Sequence, residues 1–157
     1  MATARQIEVH PEVAEFLSAG PLGGVIGGRN VLASNGETFE THDPGSQEKL
    51  ADVAAMQPDD ADRAVQAAAA AFKGPWSKLP PNERFVLLHR LADAVEKRKP
   101  VIAQLEALDA GKILAQAEGD VQNFVDTLRY YIGMAQHMQY RTALPVAGFE
   151  AFTVRHA

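Results

Sequence analysis

Apolar and polar positions follow two rhythms along this chain. Ahead of residue 58 apolar residues recur at a spacing near two, and beyond it the spacing lengthens to about 3.6. One short amphipathic stretch precedes both. Pro11 to Ser18 places Val13, Phe16 and Leu17 on one side and is closed by glycine and proline, which predicts a peripheral arm. The runs "GPLGGVIGG" and "NVLASNGETFETHDPGS" predict two or three short strands. Asn35-Gly36 predicts a hairpin turn, because both residues tolerate positive φ. Asp43-Pro44-Gly45-Ser46 marks a second turn, and "EKLADVAAM" a further strand anchored by Leu50 and Val53.

The longer rhythm predicts four helices. Ala61, Val65, Ala68 and Phe72 form the stripe of the first, with Asp59, Asp60 and Asp62 in its opening turn, where carboxylates favour a helix N-terminus. Lys73-Gly74-Pro75 ends it. The second opens at "LPPNER", with prolines where a missing N–H matters least, and carries Phe85, Leu88, Leu91, Ala92 and Val95. Arg84 reads as an anchor in its first turn, and Trp76 as a plug between helices. Pro100 opens the third helix, striped by Val101, Ile102, Leu105 and Leu108 and capped by Gly111. The fourth and longest runs from about Ala117 to Gln139, with Val121, Phe124, Val125, Leu128, Ile132, Ala135 and Met138 on its apolar face. From Phe149 to Ala157 the spacing returns to two, predicting a closing strand with no partner in view. The expected fold class is α/β, mostly helical: short hairpin strands, four helices, then a terminal strand.

Composition narrows the chemistry. The 157 residues carry 20 acidic and 15 basic side chains, a net charge of -5, which disfavours nucleic acid or an anionic membrane as the main partner. The dense basic cluster Lys97-Arg98-Lys99 sits at a helix end, where cations offset the dipole. No secretory signal or apolar run of membrane-spanning length is seen, so the expected compartment is the cytoplasm. There is no cysteine, hence no disulfide, thiolate metal site or cysteine nucleophile. The glycines at 20, 23, 24, 27 and 28 match neither dinucleotide nor Walker spacing, so no cofactor is expected on this chain. His89 and Asp93 lie one helical turn apart but show no third ligand, and His137, between Met134 and Met138, reads as a partly buried structural histidine. Asp109 stands out. It falls beside the stripe of the third helix, where a carboxylate needs a hydrogen bond, a salt bridge or a bound cation.

Four stretches, "THDPGSQEKLADVAAMQPDDADRAVQAAAAAF", "WSKLPPNERFVLLHRLADAVEKR", "LEALDAGK" and "DVQNFVDTLRYYIGMA", resemble in order and spacing the N-terminal part of the NAD(P)-dependent aldehyde dehydrogenase superfamily. The overall character is closest to the betaine aldehyde and semialdehyde dehydrogenases. The resemblance covers about residues 23–157 and implies the leading part of the NAD(P)-binding domain over 23–139 and the start of the oligomerisation strand over 140–157, with residues 1–22 read as an arm ahead of it. It implies a parent enzyme that oxidises an aldehyde to a carboxylic acid with NAD or NADP through a cysteine thiohemiacetal, and a chain that is itself inactive because the cysteine and cofactor-binding segments are missing. By position it implies a sodium or potassium ion at the carboxylate of Asp109 and the backbone carbonyls of Thr41 and His42. It also implies a substrate tunnel touched by Phe124, Leu128 and Tyr131, and self-association through residues 149–157. Two rivals stand beside this reading. One is a stand-alone helical interaction or regulatory module derived from the enzyme, and the other a small metal enzyme using His89 and Asp93.

Overall fold

The computed structural model describes residues 8–138 and 141–154. Six helices and six strands are found there: α1 (Pro11–Ser18), β1 (Gly24–Ile26), β2 (Arg29–Val31), β3 (Thr38–His42), β4 (Lys49–Ala54), α2 (Pro58–Phe72), α3 (Pro75–Lys78), α4 (Pro81–Lys97), α5 (Lys99–Ala110), α6 (Leu114–Gln136), β5 (Arg141–Leu144) and β6 (Ala151–Val154). The architecture is mixed α/β and mostly helical, as the two rhythms predict.

The strands form three separate antiparallel ribbons, β1–β2, β3–β4 and β5–β6. The first hairpin turns at Gly27-Gly28, whose φ values of 58° and 76° are those a two-residue primed turn needs. Asn35-Gly36, expected to join a hairpin, instead turns the chain between two ribbons. The Gly36 N–H donates to the Ala33 carbonyl at 2.9 Å, and the Asn35 Oδ1 accepts from the Glu37 N–H at 2.9 Å. The second expected turn does join β3 to β4. A lone two-stranded ribbon is marginal in water. β4 is reinforced by Leu22, whose N–H donates to the Asp52 carbonyl at 2.8 Å while its carbonyl accepts from the Ala54 N–H at 2.9 Å. The buried residues of β4 are Ala51 and Ala54, with the expected anchors Leu50 and Val53 only half-buried.

The helical core lies between α5 and α6, with α4 packed on the other flank of α6. Ala103 and Ala107 meet Ala117 and Val121, with Val95, Ile102 and Leu114 around them. Small side chains at this contact let the two helix axes approach closely. Val125 and Ile132 continue the buried row along α6. The large residues of α5, Ile102, Leu105 and Leu108, are half-buried rather than packed, because they line an open cavity of about 520 Å³ shared with α1 and the β3–β4 ribbon.

Several expectations need correction. α1 is docked rather than peripheral: Val13 is fully buried, and the Gln104 side chain of α5 holds the backbone on either side of Val9. Helix α6 begins three residues earlier than expected and ends before Gln139, which lies outside the described residues. The short α3 was hidden by its flanking prolines and glycine. The stripe of α2 faces away from the rest of the chain, so that Phe72 is 76% exposed. Leu91 on α4 is likewise exposed, as is His137, whose expected burial fails because α6 has ended beside it. The closing strand starts two residues later than expected and has a partner. β6 pairs with β5 in the register Arg141–Val154 to Leu144–Ala151; Phe149 and Glu150 precede it, and residues 155–157 lie outside the described set.

Candidate functional site

Asp109 and Thr41, 68 residues apart in sequence, meet in space. The Thr41 hydroxyl donates to Asp109 Oδ1 at 2.9 Å. Thr41 sits where β3 breaks register, with an irregularity between Thr41 and His42 against β4. Asp109 occupies the last turn of α5, one residue before Ala110 and two before the cap Gly111, which adopts φ 67°. A Cβ on Gly111 would come within 2.8 Å of the Pro44 ring, so glycine here lets the β3–β4 turn close onto the end of α5. Asp109 is exposed rather than buried, because the stripe beside it faces the open cavity, and it forms no ion pair among the described residues. The His42 imidazole points to Glu40, with Nε2 3.4 Å from the carboxylate. The Asp109 carboxylate thus has one hydroxyl donor and no cationic partner among the described residues. It supplies no nucleophile.

Phe124, Leu128 and Tyr131 lie along α6 at helical spacing. Phe124 is 48% exposed and Tyr131 63% exposed, while Leu128 is half-buried. Phe124 borders a second apolar recess of about 370 Å³ with Val95, Ile102 and Val121. Tyr131 meets Tyr130 edge to face at 5.3 Å. Glu106 and Asp120 also line the recess beside Phe124, so its apolar surface is edged by two carboxylates.

The rival metal pair does not form. Asp93 accepts from Arg129 Nη2 at 2.8 Å, and the same guanidinium holds Glu96 at 2.7 and 3.1 Å. Hydrogen bonds donated to Glu96 and then to Asp93 raise the Arg129 pKa further above its ordinary value, and the guanidinium in turn lowers that of Glu96. The cluster ties α4 to α6. Among the described residues no group of three or more His, Asp or Glu could hold a metal ion. Arg84 does anchor the start of α4, donating to the carbonyls of Leu79 and Ser77 at 3.0 Å and lying over Trp76.

Asp60 and Gln104 were not singled out from sequence, and both are buried. Asp60, 1% exposed, accepts from the N–H groups of Gln57 and Ser34 at 2.9 and 3.1 Å, from the Ser34 hydroxyl, and from Arg63. The backbone donors, Gln57 first, then Ser34, hold its pKa down to about 2. Its place as the third residue of α2 was the available signal, since a carboxylate there reaches back to the helix start. Gln104 gave no such signal. An amide inside an apolar row declares itself only when the backbone that it binds is in place.

Gly24, Gly27 and Gly28 belong to the β1–β2 hairpin, which is followed by β3 rather than by a helix. No helix is long and apolar enough to cross a membrane among the described residues.

The profile of the Aldehyde dehydrogenase family matches residues 31–157. A benzaldehyde dehydrogenase, mitochondrial, of Antirrhinum majus is 44% identical over 126 residues, covering 79% of this chain and 23% of that protein. An aldehyde dehydrogenase of Emericella nidulans is 38% identical over 122 residues, covering 78% of this chain and 24% of that one. Among solved structures, the NAD+ complex of aldehyde dehydrogenase from Bacillus cereus superposes with a TM-score of 0.81 at 38% identity, over 90% of this chain and 29% of that one. A betaine aldehyde dehydrogenase from Staphylococcus aureus in complex with NAD+ gives a TM-score of 0.76 at 27% identity, over 88% of this chain and 28% of that one. The chain therefore spans about a quarter of the length of these curated relatives. With the family profile matched over most of its residues and its fold found in solved members, the chain belongs to the aldehyde dehydrogenase family.

Proposed function

We propose that this chain is the N-terminal portion of an NAD(P)-dependent aldehyde dehydrogenase, that it scaffolds a catalytic site formed by other parts of the enzyme, and that it is inactive alone. The parent oxidises an aldehyde to a carboxylic acid, with NAD or NADP as hydride acceptor, after a cysteine thiolate attacks the carbonyl. One observation carries the proposal of inactivity: a chain that belongs to this family contains no cysteine at all, and covalent aldehyde capture of this kind requires a thiolate. The purified chain, given NAD+ or NADP+ and a panel of aliphatic and aromatic aldehydes, forms no reduced cofactor. Aldehyde-dependent NADH or NADPH formation overturns the reading.

Three finer roles accompany it. The Asp109 carboxylate, with the carbonyls of Thr41 and His42, holds a sodium or potassium ion. Support comes from the Thr41–Asp109 contact and the absence of an ion pair at Asp109 among the described residues. Wild-type chain melts higher in sodium or potassium than in tetramethylammonium, and Asp109→Asn abolishes the difference; equal melting of the wild type in all three rejects the ion. Phe124, Leu128 and Tyr131 line the aldehyde tunnel of the parent, a role that their shared face and exposure support. Residues 149–157 mediate self-association, supported by the exposed Phe149 and Val154 of the β5–β6 segment.

A second reading, a stand-alone helical interaction module, is favoured by one feature. β6 finds β5 inside the same chain, so its backbone is paired without a further strand.

A further inference from the structure

The backbone around His10 is held by a single buried side chain. Gln104, on α5 and 7% exposed, accepts from the His10 N–H through Oε1 and donates to the Glu8 carbonyl through Nε2 at 2.9 Å. Both functions of the amide are thereby used on the main chain flanking Val9, in the manner of a neighbouring strand. His10 then starts α1, its carbonyl accepting from Val13 and Ala14 and its Nδ1 from the Glu12 N–H at 3.2 Å. Beyond α1 the chain turns through Gly20-Pro21 and is pinned again at Leu22, by two backbone hydrogen bonds to β4. Between these two fixed points α1 touches only α5 and β4 to any extent. It presents Phe16 and Leu17 to the 520 Å³ cavity, whose other walls include Leu50, Val53 and Leu105. The other polar tether, Arg98 to Glu12 at 3.6 Å, is an exposed pair and worth little.

We propose that residues 8–19 form a strap that opens as a unit, that Gln104 is its latch, and that opening the strap widens access to the largely apolar, already open cavity between α1, the β3–β4 ribbon and α5. Gln104 acts through the strap and is a positioning residue. An amide of about the right length in an otherwise apolar row, with both ends spent on one segment, fixes that segment and nothing else. Losing it leaves the His10 N–H and Glu8 carbonyl without their protein partner, and movement of this half-exposed segment further into water satisfies them. Val13 remains as the apolar peg that returns the strap to its seat.

Amide hydrogen exchange on the 157-residue chain tests this directly. In Gln104→Leu, which keeps the volume and removes both hydrogen bonds, the Val13 and Ala14 amides exchange about tenfold faster or more, while the Val125 and Ile132 amides are unchanged. Gln104→Glu keeps the acceptor for His10 and loses the donor to Glu8, and its exchange falls between wild type and Gln104→Leu. Because the chain has no cysteine, a single Leu50→Cys reports on the cavity, and its labelling by a bulky maleimide accelerates when Gln104→Leu is added. Unchanged exchange at Val13 and Ala14 overturns the latch. Acceleration spread equally over the strap and α6 overturns the local unit, and faster exchange without faster labelling overturns the widening of the cavity.

Discussion

Asp60 shows how much one side chain can join. It holds the β2–β3 connection at Ser34, closes the first turn of α2 at Gln57, and is buried without leaving a buried polar side-chain atom unpaired among the described residues. Its folded pKa of about 2 lies below the ordinary carboxylate value. Its stabilising contribution is therefore complete above pH ~4 and is lost as pH falls from there towards 2. Asp60→Asn loses that contribution at neutral pH, and denaturant titrations between pH ~2 and ~6 show a flatter acid limb than wild type. An equal acid limb in the two proteins rules out this role. Gly111 predicts a second effect at this scale. Ala at φ 67°, with its Cβ 2.8 Å from Pro44, destabilises the chain by about 1 kcal/mol or more. Gly111 was legible as a helix cap from its place after an apolar stripe. Asp109 was legible as a carboxylate in need of a partner, but its partner Thr41 was reached there only through the family resemblance, because 68 residues separate them.

At the scale of elements, periodicity reported existence well and burial poorly. Every helix expected after residue 58 is present, because 3.6-residue spacing follows from helix geometry alone. The stripe of α2 is nonetheless exposed: whether an apolar face is covered depends on what lies opposite, which no local pattern encodes. The hairpin signal at Asn35-Gly36 was misread for a similar reason. Positive φ specifies a turn, and only tertiary pairing decides whether the flanking strands join each other. The α4–α6 contact lets two forces be compared. Arg129→Met removes a partly exposed ion-pair cluster and costs about 1 kcal/mol, shrinking in high salt. Ile132→Ala empties a fully packed position and costs about 3 kcal/mol at any salt. Apolar packing thus outweighs the cluster, and urea melts at two ionic strengths separate them. A larger, salt-sensitive loss in Arg129→Met reverses the order.

Taken whole, the molecule leaves large apolar side chains in the open. Phe72, Val65 on α2, Val86, Leu87 and Leu91 on α4, and Phe149, 78% exposed, are among them. Such side chains are the ones that a partner surface would cover. The chain alone self-associates as its concentration rises, and paired Phe149→Lys and Val154→Lys substitutions reduce that association in sedimentation velocity; no change places the sticky surface elsewhere, on α2 or α4. The same exposed faces agree with a scaffold whose counterpart lies in the remaining three-quarters of enzymes such as those that the chain matches. The central claim is that this polypeptide is the leading part of a larger dehydrogenase. The most direct test is the intact mass of the native protein, detected in its source with an antibody against this segment. The account predicts a band far heavier than 16.9 kDa, with a cysteine in the added sequence. A native band at 16.9 kDa contradicts it and leaves the interaction module as the reading that stands.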